Sequence, residues 1–79
     1  MLFLRSVRKE GNRIYADYYP EDSTTCTQAS ISIEDPSDCI VVPTGYHMEG
    51  KSTVGHAKIA LREMVRGERP IEDTQVMWY

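Results

Sequence analysis

Between residues 26 and 34, apolar and polar positions alternate one for one. Thr27, Ala29, Ile31 and Ile33 fall on one side, and Gln28, Ser30, Ser32 and Glu34 on the other. A period of two predicts a half-buried antiparallel strand. A second alternation runs over residues 13–19, where Ile14, Ala16 and Tyr18 share the inward face and Tyr15, Asp17 and Tyr19 the outward one. Residues 2–7 are apolar enough for a strand but alternate poorly, so either Leu2 with Leu4 or Phe3 with Val7 faces the core. Lys9-Glu10-Gly11-Asn12 supplies a turn in which Gly11 and Asn12 can both take positive φ, joining these strands into a hairpin. Pro20 cannot donate to a ladder and stops the second strand. Asp35-Pro36-Ser37-Asp38 suits a type I turn that reverses the chain again.

Beyond that turn the pattern changes. Cys39-Ile40-Val41-Val42 is continuously apolar, which predicts a central strand covered on both faces and ended by Pro43. Val54, Ala57, Ala60, Leu61, Met64 and Val65 then fall within a face about 140° wide at about 100° per residue, the mark of an amphipathic helix. Ser52 or Thr53 is the expected N-cap, Gly67 fits the left-handed position past the last turn, and Pro70 forbids continuation. Residues 71–79 close on Val76-Met77-Trp78-Tyr79, a last strand or a docked partner-binding tail. The elements assemble as one α+β domain over residues 1–79, in the order β-β-β-β-α-β. It is an antiparallel sheet of four to five strands with one helix packed on one face.

Size sharpens this picture. A chain of 79 residues builds a thin core, since domains of about 60 residues bury only about 60% of their unfolded surface. A partner that covers an apolar face then contributes a large part of the stability, and self-association is the simplest source of one. The formal net charge of −3 repels a polyanion unless the nine basic residues gather on one face. Four apolar residues followed by Arg5 are too short for a signal segment or a membrane span, so a cytoplasmic location away from membranes is expected. Cys26 and Cys39 are expected to be reduced thiols.

One loop carries nominal chemistry. Gly45, Gly50, Lys51 and Ser52 fall on the spacing G-x-x-x-x-G-K-[ST] between an apolar strand and a helix, the signature of a phosphate-binding loop. In such a loop the lysine reaches the β/γ oxygens and the hydroxyl holds magnesium. The hairpins upstream are incompatible with the βαβ order that this chemistry requires. Glu49 would also repel the phosphates, and His47 and Met48 are bulky where the backbone must approach closely. Nucleotide binding is therefore not expected. The residue of the motif is a weaker anion site at the helix N-terminus made by Lys51, Ser52 and Thr53.

The Gly50-Lys51-Ser52 run that opens the helix, followed by Ala57-Lys58, resembles the C-terminal half of a double-stranded-RNA-binding domain. That resemblance implies a phosphate-gripping helix start. The family places adjacent lysines where this chain has Val54 and Gly55, and its opening helix has no counterpart in residues 2–7. Lys58, Arg62 and Arg66 form a basic helical stripe that could contact a nucleic-acid backbone, although solvated helix charges are the commoner explanation. Cys26, Cys39, His47 and His56 lack the short spacings of a zinc site, so no metal or other cofactor is expected. Neither thiol pairs with an identifiable base, and Glu21/Asp22 and Glu72/Asp73 sit in polar turns, so no catalytic residue is assigned.

The aromatic residues point elsewhere. Five Tyr and one Trp are more amphipathic rings than so small a core hides. Tyr15 and Tyr19 project from the outer sheet face, Ile59 lies off the helix's apolar stripe, and Trp78 and Tyr79 end the chain. Such residues bury large area at low entropy cost and favour an interface. The expected function is non-enzymatic: protein–protein interaction, most simply homodimerisation. An anion- or small-ligand-binding module ranks second and nucleic-acid binding lower.

Overall fold

A computed structural model of the chain describes residues 1–78. Five strands and one helix follow in the expected order: β1 (Leu2–Glu10), β2 (Arg13–Pro20), β3 (Thr27–Ser32), β4 (Cys39–Val41), α1 (Lys51–Arg66) and β5 (Thr74–Val76). The sheet is antiparallel throughout, in the order β4-β3-β2-β1-β5. Strands β1 to β4 form a meander. The chain then crosses one face as α1 and adds β5 beside β1 at the opposite edge.

The alternations decide which face the helix covers. Ile14, Ala16 and Tyr18 on β2 and Ala29 and Ile31 on β3 are fully buried, and register places Ile14 opposite Ile31 and Ala16 opposite Ala29. Leu2, Leu4, Val41 and Val76 extend the same layer, and Ala57, Ala60, Leu61 and Met64 close over it from α1. Truncating a fully buried Leu such as Leu61 to Ala costs about 2–5 kcal/mol in a core of this kind. The helical stripe is largely the expected one, with Ala57, Ala60, Leu61 and Met64 buried, and differs at its margins. Thr53 is buried at its start, while Val54 and Val65 are only partly covered.

The poor alternation of the first strand has a definite cause. Ser6 adopts a left-handed φ of 51°, and the β1–β2 register slips between Arg5, opposite Asp17, and Arg8, opposite Tyr15. This is a β-bulge with one extra residue. It reverses the side-chain parity, so Leu2 and Leu4 before it and Val7 after it all reach the core. The strand consequently runs to Glu10 instead of ending at residue 7. In the turn that follows, Gly11 alone has positive φ, at 60°, the position glycine takes in a type II′ hairpin.

Two further expectations are corrected. Cys39-Ile40-Val41-Val42 is an edge, not a central strand: β4 pairs only with β3, and Ile40 and Val42 are 52% and 44% exposed. The N-cap is Gly50, not Ser52 or Thr53. Thr53 instead sits in the first turn and accepts the Gly50 N–H on Oγ1 at 3.2 Å. At the other end, Gly67 is left-handed with φ 78°, and Gly67 and Glu68 N–H groups donate to the carbonyls of Met64 and Glu63 as a Schellman turn. No helix among the described residues is long and apolar enough to cross a membrane.

The bulge makes a direct prediction. Ser6→Gly relieves a left-handed strain of about 1–2 kcal/mol while freeing the unfolded chain by about 0.4–1 kcal/mol, for a net gain of about 0.5–1 kcal/mol. Ser6→Val loses about 1–2 kcal/mol. Urea unfolding midpoints measure both, and a valine tolerated as well as serine would dismiss the bulge.

Candidate functional site

The loop with the phosphate-binding spacing folds around its own carboxylate. Gly45 turns the chain at φ 80°, and Glu49 returns its side chain to the start of the loop. There Glu49 Oε1 accepts the Thr44 and Gly45 N–H groups, both at 3.0 Å. Oε2 accepts the Tyr18 hydroxyl at 2.6 Å. Thr44 Oγ1 donates to the same carboxylate and accepts the Tyr46 N–H at 3.0 Å. Tyr46 in turn donates its hydroxyl to Asp22, tying the loop to the β2–β3 turn. The hydrogen bond from Tyr46 holds Asp22 below the usual carboxylate range.

Tyr18 anchors this arrangement from beneath. Its ring is fully buried under the helix, and burial, with the Glu49 carboxylate at its hydroxyl, pushes its pKa far above the ordinary tyrosine value. Lys51 and Ser52 are exposed in the first turn of α1, and Thr53 is buried with its hydroxyl already engaged. The structure therefore brings Lys51, Ser52 and Thr53 together at the helix start, while the loop amides turn toward Glu49.

The second set of residues divides between two surfaces. Tyr15 and Tyr19 lie on the sheet face opposite the helix, joined by Phe3, whose register partner is Tyr19. Arginines roof these rings. The Arg5 guanidinium lies 4.8 Å from the Phe3 ring centre and 5.8 Å from that of Tyr19, and Arg8 lies 5.6 Å from that of Tyr15. An open groove beside them is bounded by Met1, Phe3, Arg5, Tyr19 and Glu21. Farther along, Arg13 donates to Ser30 Oγ at 3.0 Å and forks onto Asp38 at 2.9 and 3.2 Å, bracing β2, β3 and the start of β4. That fork depresses the Asp38 carboxyl and raises the Arg13 guanidinium.

Ile59 and Trp78 belong to the helix side. Ile59 is 48% exposed on α1, and Trp78 stacks on His56 with ring centres 4.3 Å apart. Tyr79 lies outside the described residues. Cys26 and Cys39 are both free thiols: Cys26 borders Tyr19 at the head of β3, and Cys39 faces Ile31 near its other end. No group of three His, Cys, Asp or Glu side chains that could hold a metal occurs among the described residues.

Sequence reasoning overlooked two parts of these sites. Glu49 was legible as a charge beside the loop, but not as the group the loop closes on. Phe3 was obscured by the bulge, which hides the parity of its strand. No protein-family model matches the chain, and neither a curated protein nor a solved structure does.

Glu49→Ala leaves the buried Tyr18 hydroxyl and two amides without their acceptor and costs about 2–3 kcal/mol, whereas Lys51→Ala stays within about 0.5 kcal/mol. Thermal or urea unfolding separates the two, and equal effects would remove Glu49 from the centre of the loop. Because the folded Tyr18 holds its proton more tightly than the unfolded chain, its contribution is complete below pH 10.0 and is lost as pH rises beyond it. Tyr18→Phe is expected to flatten that alkaline decline, and an unchanged slope would count against the pair.

Proposed function

We propose that this chain is a non-enzymatic protein-interaction domain that works through its uncovered sheet face, most simply by pairing with a second copy. The observation that carries this reading is the cluster of Phe3, Tyr15 and Tyr19 under Arg5 and Arg8 on the face without a helix. Aromatic and arginine side chains dominate the energetic centres of protein interfaces, because they bury large, stiff surfaces and keep polar edges for orientation.

Charge supports self-pairing. Arg5 stands opposite Asp17 on this face, so a copy rotated about a two-fold axis meets both signs with both signs. A cytoplasmic location belongs to the same proposal, in keeping with free thiols at Cys26 and Cys39. An anion-binding role at Lys51, Ser52 and Thr53 has less support, since the neighbouring loop amides already serve the Glu49 carboxylate.

Sedimentation equilibrium tests the proposal. Self-association is expected at micromolar concentrations, and Tyr15→Ser or Tyr19→Ser should each weaken it by about 2 kcal/mol, roughly thirtyfold in Kd. A monomer at high micromolar concentration, or a dimer indifferent to both substitutions, would refute it.

A further inference from the structure

The two long margins of the sheet are treated very differently. Past the bulge, β1 carries Arg8, Lys9 and Glu10, and its Val7 N–H is capped by Asp73 Oδ1 at 2.9 Å. Charges, a bulge and a side-chain cap are the usual protections of an open edge. Among the described residues β4 carries no charge, bulge or side-chain cap; it is three residues long and is followed by Pro43. Its segment is Cys39-Ile40-Val41-Val42, without a charge, and Ile40 and Val42 are exposed. Asp38 C=O accepts the Ser32 N–H at 3.0 Å and Val42 N–H donates to Gln28 C=O at 3.3 Å, so these two residues turn their backbone toward β3. Alternation then turns the N–H and C=O groups of Cys39 and Val41 away from the sheet, ready to pair.

The helix supplies the second observation. Its flank with His56 and Glu63 faces β5, where His56 stacks on Trp78 and Glu63 binds Arg69, which donates to Thr74. The opposite flank, with Lys51, Val54, Lys58 and Arg62, therefore lies over the β4 edge, the strand against which α1 packs most heavily. A shallow groove there is bounded by Pro43, Glu49, Gly50, Lys51 and Val54, with Glu49 turned to the Thr44 and Gly45 amides; burial pushes the nearby Cys39 thiol up, and Arg62 and Lys58 oppose that rise. Among the described residues, Lys51, Lys58 and Arg62 make no salt bridge.

We propose that the β4 edge and the basic flank of α1 form a second docking site, which takes an extended acidic peptide as a sixth strand. A strand added to β4 alternates its side chains between two environments. One set lies beneath Lys51, Lys58 and Arg62, and favours Glu or Asp. The other lies beside Ile40 and Val42 on the outer face, and favours Val or Ile. A second copy of this chain is a poor occupant, because symmetric β4–β4 pairing lays the two basic flanks against each other.

The probe is a blocked decapeptide of alternating Val and Glu, titrated into isotopically labelled protein and followed by amide NMR and fluorescence anisotropy. Expected are shifts and slowed hydrogen exchange at the Cys39 and Val41 amides, and binding that weakens with salt. Lys-for-Glu and backbone N-methylated versions of the peptide should bind at least about tenfold more weakly. The Lys58→Glu/Arg62→Glu double variant, with its amide spectrum otherwise preserved, should lose binding to the same degree. The Tyr15→Ser/Tyr19→Ser chain should bind the peptide unchanged, which separates this site from the open face. No response at Cys39 and Val41 at millimolar peptide, equal binding of the Lys version, or unimpaired binding by the double variant would overturn the proposal. So would slowed exchange at these amides on raising protein concentration alone, which would make a second copy the occupant.

Discussion

With one helix to cover a five-stranded sheet, only one of its two faces can be dry. Everything else in this fold adjusts to that constraint. The alternations on β2 and β3 commit small and branched residues to the covered side, and the bulge at Ser6 keeps β1 in step by restoring its parity for Val7. The uncovered side meets water and carries exposed Ile40 and Val42 at its β4 margin. Along β1 and β2 it is built from rings whose faces are shielded by guanidinium groups, an arrangement stable in solvent and still rich in transferable surface.

The connection from β4 to α1 must bring the chain out of the sheet plane and start a helix over it. Glu49, at the end of the loop, organises that passage by gathering donors from the start of the loop and from Tyr18 in the core. A negatively charged group amid backbone amides is the same physical solution that phosphate-binding loops use, with the anion here covalently part of the chain. The loop is thus stiffened from within. On the other surface, Arg13 performs a similar office for the sheet by spanning to Ser30 and Asp38.

Legibility in the sequence followed how local each determinant is. Thr27, Ala29 and Ile31 declare their strand because each residue's own burial sets the pattern, and Ala57, Ala60, Leu61 and Met64 with Gly67 declare the helix in the same way. Strand β4 was misplaced because an apolar run of four looks alike whether it is covered on two sides or left at a margin; only the path of the chain afterwards distinguishes them. The bulge depends on what β2 presents opposite Ser6, and the role of Glu49 depends on a tyrosine from another strand. Of the residues singled out for interaction, Tyr15 and Tyr19 do share a face, since strand parity is local. Ile59 and Trp78 lie on the helix side, since their position depends on the crossover.

The pairing of β5 with β1 sets the order in which the molecule can be completed. Leu2 is joined to Val76, so the first strand along the chain waits for the last one before its outer side is satisfied. During synthesis, the meander and the helix can form while the segment from Leu2 to Leu4 remains an open edge. Pairing at such separation is slow, because the whole intervening chain must be gathered first. A chain whose residues 74–76 have not yet docked is therefore open to pairing with its neighbours along Leu2–Leu4, and the speed of that docking becomes a determinant of yield in its own right.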